Sequence, residues 1–308
     1  MNQNPQTNPN LARDILLPDG RLLGYGEFGK PDGHPVLYFH GAPSSRLEPM
    51  LVGDEAWANA GLRVIAPDRP GMGRSNFQPN RLFTHWPRDV VALADALGLD
   101  RFAILGMSGG SAYVAVCAAK IPERLSAAAI VSGGWPMRWP NARRGLPVPN
   151  QVTWILATRA PVLLHPLLLA MRAGSKSHED RELRHLAARV PPADYAAFRE
   201  PGRWLAFAES LRESMRQGTR GPARDLRLYG RDFGFKFDEV RVPITLFHGE
   251  QDANVPIALA RRGAAYLPGA KLIIYPEDAH LSTLCNHVEE IAAALKGQRA
   301  EGKGQREG

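Results

Sequence analysis

Short apolar runs alternate with amphipathic stretches along most of the chain. Nearly continuous apolar runs of this length predict strands that are buried on both faces. They lie at 35–39, 62–66, 101–105, 126–131, 243–248 and 271–276. Stretches with helical periodicity lie between and after these runs, at 48–60, 84–97, 109–120, 256–266 and 283–296. The alternation predicts an α/β protein with a doubly wound, mostly parallel sheet.

The first two apolar runs, at 13–17 and 21–28, are separated by Pro18-Asp19-Gly20. Proline fixes one φ angle and glycine accepts a positive φ, so this segment is a turn signal. The pattern predicts a β-hairpin ahead of the parallel strands. For the helix at 84–97, Thr84 is the candidate N-cap and Gly98 the candidate stop.

The alternation stops near Gly133 and resumes near 236. Residues 135–235 are rich in Arg, Ala and Leu and are interrupted by prolines, which predicts a helical insertion, or cap. The core is therefore expected at 13–134 and 236–296. The polar ends, 1–12 and 297–308, are expected to be disordered, and the polar start argues against a secretory signal peptide.

Composition supports a globular protein, because 44% of the 308 residues are hydrophobic and 22% are charged. The net charge of +7 lies in one segment. Residues 135–240 hold 18 of the 38 Lys and Arg and 11 of the 31 Asp and Glu, so the rest of the chain is balanced at 20 of each. No recognition motif accompanies this charge, which favours a solvated helix face over nucleic-acid binding.

Cys117 and Cys285 stand far apart without neighbouring ligand residues, so neither a disulfide framework nor a zinc site is indicated. A reducing, cytoplasmic setting is expected. The most apolar stretch, 152–171, contains Arg159 and two prolines and is not expected to cross a membrane. The expected partner is a small-molecule substrate; the oligomeric state stays open.

Gly106-Met107-Ser108-Gly109-Gly110 matches G-x-S-x-G at the junction of a predicted strand and helix. A serine on such a turn projects its hydroxyl away from the backbone, and the flanking glycines tolerate the crowding. This predicts Ser108 as a nucleophile; an ordinary glycine-rich loop is the alternative.

A serine nucleophile needs a base, and the base needs a carboxylate. His280 is the candidate base, because it follows the predicted strand 271–276 at the carboxyl edge of the sheet. Asp252, after strand 243–248, is the candidate acid. Glu250 is the second choice, and Asp278 the third because it is close to His280 in sequence.

The reaction also needs two N–H donors for an oxyanion. Gly109, directly after the nucleophile, is one candidate. The other is expected in the loop after strand 35–39. Because Pro43 has no N–H, Ala42 is the favoured donor.

Five segments together resemble the α/β-hydrolase superfamily: HGAPSS (40–45), PDRPGMGRS (67–75), GMSGGS (106–111), HGEQDANVP (248–256) and DAHLS (278–282). The resemblance covers about 13–134 and 236–296. It implies an α/β-hydrolase fold in which the first segment supplies an oxyanion donor and the second shapes the pocket floor. It also implies the chain order Ser, acid, His, and a helical cap inserted after strand six.

Departures from particular members narrow the function. Haloalkane dehalogenases and epoxide hydrolases have Asp where this chain has Ser108. Proline iminopeptidases carry HGGPG and GGSWG where this chain has HGAPS and GMSGG, and their caps bind an amine through carboxylates. This basic cap instead leaves room for a carboxylate-bearing substrate. One or two of its aromatic side chains are expected to face the pocket, from Trp135, Trp139, Trp154, Tyr195, Phe198, Trp204 and Phe207.

The resulting hypothesis is a serine hydrolase of carboxylesterase or lipase type, with no cofactor or metal. A second hypothesis keeps the triad for carbon–carbon bond hydrolysis, amide cleavage or perhydrolysis. A third is a ligand-binding member of the superfamily without turnover.

Overall fold

A computed structural model describes residues 8–175, 183, 185, 187 and 189–297, together with the backbone of 305–307. The described strands form one sheet in the order β1-β2-β4-β3-β5-β6-β7-β8-β9. They are β1 Arg13–Leu16, β2 Leu22–Gly29, β3 His34–Phe39, β4 Leu62–Pro67, β5 Phe102–Met107, β6 Leu125–Val131, β7 Ile244–Gly249, β8 Lys271–Tyr275 and β9 Gln305–Glu307. Strands β3 to β8 are parallel, whereas β1, β2 and β9 pair antiparallel with their neighbours. The predicted fold class is confirmed.

Helices cover both faces of this sheet. Those in the described part of the chain are α1 Asp54–Asn59, α2 Trp86–Ala96, α3 Ser111–Lys120, α4 Val148–Arg159, α5 Leu164–Gly174, α6 Pro192–Arg199, α7 Arg203–Ser214, α8 Arg220–Tyr229, α9 Ile257–Tyr266, α10 Ser282–Asn286 and α11 Val288–Leu295. Leu37 and Phe39 of β3 join the core formed with α2, α3 and α9. Val36 and Tyr38 join the opposite core, with α1 and α11. Because both faces are covered, the parallel strands are mostly apolar.

The predicted elements are found with shifted helix boundaries, except that the one helix expected at 283–296 is divided into α10 and α11. The hairpin of β1 and β2 is confirmed. The helix expected at 48–60 is divided by Gly53, at φ +95°, into a 3₁₀ turn at Glu48–Leu51 and α1. Thr84 is not the N-cap of α2: it lies inside a 3₁₀ turn at Phe83–His85 that leads into the helix. Gly98 does follow the end of α2, with φ +68°.

Helices α4 to α8 lie between β6 and β7, where the sequence predicts a helical insertion. We call residues 135–235 the insertion. None of the helices in the described ranges combines the length and the hydrophobicity needed to cross a membrane.

The ends of the chain, which are expected to be disordered, form regular structure in their described parts. Residues Pro9–Leu11 form a 3₁₀ turn, and Leu11 is only 3% exposed because it packs into the core with α1 and α11. Gln305–Glu307 pair with β8, whose free edge offers backbone groups to any chain regardless of its side chains. Both segments are polar on average, so their composition did not indicate the burial of Leu11 or the pairing of residues 305–307 with β8. Residues 1–7, 298–304 and 308 lie outside the described residues.

Candidate active site

Ser108 lies at the carboxyl end of β5, where the chain turns into α3 through a 3₁₀ turn at Ser108–Gly110. Its φ of +49° is in the left-handed region, which is strained for a residue with a side chain and is common at functional sites. The turn is tight: a Cβ on Gly110 would overlap the carbonyl oxygen of Phe39, and a Cβ on Gly106 would lie 2.7 Å from Val114 Cγ2. The glycines around Ser108 are therefore required by packing.

His280 contacts Asp252 as the sequence predicts. The Nδ1 atom of His280 lies 2.8 Å from Oδ2 of Asp252, and the other carboxylate oxygen accepts the amides of Asn254 and Val255, each at 2.8 Å. Nδ1 donates in this arrangement, so Nε2 is the nitrogen free to accept a proton. Burial disfavours the charge on Asp252, but His280 outweighs it and holds the pKa of Asp252 below its ordinary value.

The environment of His280 raises its basicity. Burial by itself lowers the pKa of this imidazole. The charge and hydrogen bond of Asp252, with smaller contributions from Asp194 and Glu48, overcome burial and raise the pKa above its ordinary value.

The two alternative carboxylates are directed elsewhere. Glu250 is exposed to solvent. Asp278 accepts from His287 Nε2 at 2.6 Å and from Asn286 Nδ2 at 2.8 Å. Of the three candidate acids, Asp252 is therefore the one that lies against the His280 ring.

Ala42 and Gly109, the two candidate oxyanion donors, are neighbours in space. A Cβ on Gly109 would lie 3.0 Å from the Ala42 nitrogen. The amide of Gly41 is engaged, since it donates to Glu48 Oε2 at 2.8 Å. Gly109 is in the first turn of a helix, where an N–H has no intrahelical acceptor. The Ala42 nitrogen therefore lies close to the residue that directly follows Ser108.

A cluster of buried charged side chains contacts the backbone just before Ala42. Asp225 of α8 binds Arg69 Nη2 at 2.8 Å and Arg81 Nη2 at 2.7 Å, and it accepts the Tyr113 hydroxyl. Arg69 also donates to the carbonyl oxygens of His40 and Gly41. We call Asp225, Arg69, Arg81 and Tyr113 the Asp225 cluster. The only sequence signal for it was the segment at 67–75, which contains Arg69.

Ser108 and His280 line one cavity of about 270 Å³. Its walls are mostly apolar, and the insertion supplies many of the large apolar side chains, including Met137, Leu167, Leu168, Met171, Leu211 and Leu226. Two of the aromatic side chains considered above, Trp154 and Phe207, face it, as expected.

The charges at this cavity differ from the expectation of a carboxylate-binding cap. No Arg or Lys is among the lining residues in the described part of the chain. The lining instead contains the carboxylate of Glu48, which accepts the Tyr38 hydroxyl at 2.9 Å and whose pKa is raised by burial. The described Arg and Lys residues of the insertion lie outside the cavity lining. Sequence reasoning missed Glu48 because nothing in its local pattern distinguishes it.

No cluster of three or more His, Cys, Asp or Glu side chains is arranged to hold a metal ion within the described ranges.

Comparison with known proteins agrees with the observed fold. A family model described as the alpha/beta hydrolase fold matches residues 34–284. A bifunctional esterase/perhydrolase of Acinetobacter calcoaceticus is 25% identical over 86% of this chain and 92% of its own length. A 2-hydroxymuconate semialdehyde hydrolase of Pseudomonas putida is 26% identical, over 96% and 97%. The solved structure of a thermophilic esterase from Thermogutta terrifontis has a TM-score of 0.64 at 18% identity, over 93% of this chain and 97% of that one. At that identity the structural likeness shows the fold alone.

Proposed function

The chain belongs to the α/β hydrolase family, and we propose that within it this protein is a serine hydrolase that cleaves an ester-type bond of a small molecule. The observation that carries the proposal is the shared cavity: Ser108, on its strained turn, and His280, anchored by Asp252, both line it.

The residues suit acyl transfer through a covalent intermediate. Ser108 Oγ attacks the acyl carbonyl carbon while His280 Nε2 takes its proton. The carbonyl oxygen becomes an oxyanion, which the N–H groups of Ala42 and Gly109 stabilise. His280 then protonates the leaving alkoxide as the acyl enzyme forms. Water, deprotonated by His280, releases the acid and restores the Ser108 hydroxyl.

The cavity favours a neutral, apolar acyl group. Its walls are aliphatic and aromatic, and a volume of about 270 Å³ holds a small to medium substituent. An anionic acyl group would meet Glu48 and find no cation among the described lining residues. We therefore expect carboxylesterase activity on uncharged esters.

The test is hydrolysis of p-nitrophenyl esters from acetate to laurate, with fluorophosphonate labelling mapped by mass spectrometry. The wild type is expected to turn over and to label at Ser108, whereas Ser108→Ala does neither. Ser126→Ala is the matched control, since it makes the same change at an exposed position of β6. A folded wild type that neither labels nor turns over any ester would favour the non-catalytic, ligand-binding hypothesis.

Perhydrolysis is a second candidate, supported by the name of the Acinetobacter relative. Hydrogen peroxide would replace water as the nucleophile on the acyl enzyme and yield a peracid. Peracid formation dependent on peroxide and on Ser108 distinguishes it. Labelling without turnover of any ester, with or without peroxide, would favour carbon–carbon or amide bond cleavage.

A cytoplasmic location is part of the proposal. It is supported by the two cysteines, Cys117 and Cys285, which are both unpaired. Fractionation of the native host tests it.

A further inference from the structure

The backbone around His280 is held by a carboxylate that comes from the insertion. Asp194, in the first turn of α6, is 4% exposed. Its Oδ1 accepts the amides of Leu281 at 2.8 Å and Ser282 at 2.9 Å, and its Oδ2 accepts the amide of His280 itself at 3.2 Å. One side chain therefore binds three consecutive N–H groups at the turn between β8 and α10.

These hydrogen bonds are of the strong kind, because the acceptor is a carboxylate and the site is buried. Burial raises the pKa of Asp194, but the bound amides and the His280 imidazole favour its charged form. Without the carboxylate, three amides at a buried turn lose their acceptor. The remaining anchors of His280 are the bond to Asp252 and the Ser132 hydroxyl, which donates to the His280 carbonyl at 2.8 Å.

We propose that Asp194 is a positioning residue that fixes the backbone of His280; this inference rests on the proposed function. Because Asp194 belongs to the insertion, the catalytic geometry then depends on how the insertion packs against the rest of the protein. The side chain is not among the described residues that line the cavity, so it acts through His280 and not on the substrate. Small displacements at a catalytic base have large effects on rate: about 100-fold for a misplacement of 1 Å.

Two substitutions separate geometry from charge. Asp194→Ala removes the acceptors, so kcat for a p-nitrophenyl ester is expected to fall about 100-fold. KM is expected to stay within about twofold, because most of the residues that line the cavity lie outside this turn. Asp194→Asn keeps one oxygen acceptor of the same size, so most of kcat is expected to return.

The pH dependence of kcat distinguishes the proposed role from a merely structural one, because a structural role would leave the pH profile unchanged. The titratable groups that face His280 are Asp252, Asp194, Glu48 and His248. Removal of the Asp194 charge leaves the imidazolium less stabilised, so the acid limb of kcat is expected to move to lower pH in Asp194→Asn. The matched control is Glu200→Gln, which removes an exposed carboxylate at the end of α6.

Each outcome of these experiments either supports or overturns the role proposed for Asp194. The proposal is supported if Asp194→Ala loses kcat at constant KM and Asp194→Asn restores it with a shifted acid limb. It is overturned if both variants match Glu200→Gln in kcat and pH profile. If Asp194→Ala does not fold, Asp194→Asn decides alone: a shifted acid limb supports the proposal and an unchanged limb overturns it. Failure of the proposed function is a separate result: either the wild type itself shows no ester turnover and no labelling, or Ser108→Ala retains the turnover of the wild type.

Discussion

Replacement of Asp225 by alanine would leave two buried guanidinium groups without their carboxylate. Arg69 and Asp225 have fully buried side chains, and that of Arg81 is only 2% exposed. Burial alone would raise the pKa of Asp225, but the two arginines hold it below its ordinary value of 3.8, so the group is charged at neutral pH. The cluster is thus an ion triad in a low-dielectric site.

The expected loss of stability in Asp225→Ala follows from the burial of these charges. Breaking a buried pair by removal of one partner costs about 3–5 kcal/mol. The loss is not doubled for two arginines, because Arg69 keeps the carbonyls of His40 and Gly41, and Arg81 keeps the Tyr113 hydroxyl. For a 308-residue chain the unfolding entropy is about 0.65 kcal/mol/K. The expected decrease in Tm is therefore about 5–8 °C.

The assay is urea and thermal unfolding followed by tryptophan fluorescence and circular dichroism. The control is Asp232→Ala, which breaks the Arg138–Asp232 pair. That pair has the same 2.7 Å separation, but its side chains are 57% and 65% exposed. Exposed pairs contribute about 0–1 kcal/mol, so this variant is expected to unfold close to wild type. An Asp225→Ala protein within about 1 kcal/mol of Asp232→Ala would refute the reasoning from burial.

The pH dependence has a definite sign. A carboxylate whose pKa is lowered on folding contributes stability above its unfolded pKa and loses it as the pH falls through the folded pKa. The difference between wild type and Asp225→Ala is therefore expected to be full at pH 7 and to shrink below about pH 4.

Two further predictions concern the catalytic geometry. His280 must be neutral to act as a base, and its pKa is raised. We therefore expect kcat/KM to rise with pH through a midpoint above 6.5. A midpoint at or below 6.5 in a pH–rate profile would contradict the ion pair with Asp252. Gly110→Ala places a Cβ against the Phe39 carbonyl oxygen, so it is expected to cost about 1–3 kcal/mol in urea unfolding and to reduce esterase activity. The control is Gly174→Ala, a helical position where no atom of the other described residues lies within 4 Å of the new Cβ outside the helix's own backbone. It is expected to be neutral or slightly stabilising, and equal effects of the two changes would rule out the steric argument.

Much of the fold was predictable because its signals are local. Runs such as 35–39 and 62–66 are almost wholly apolar, with Arg63 the exception in the second, since both faces of the sheet are covered, and that pattern appears in any short window. The predictions that differ from the structure concern the burial of single residues within polar segments, such as Leu11, and the exact start of α2. Helix boundaries depend on 3₁₀ turns whose hydrogen bonds have no distinct sequence pattern.

The sequence by itself determined the turn that carries Ser108, the chain order of the triad candidates and the place of the insertion, because glycine spacing and hydrophobic periodicity are properties of neighbouring residues. Only the tertiary structure decided that Asp252, and neither Glu250 nor Asp278, lies against His280. It also decided that Asp194 binds the His280 turn and Asp225 the arginines. These carboxylates meet partners 28 to 156 positions away, and such contacts depend on how strands and helices pack.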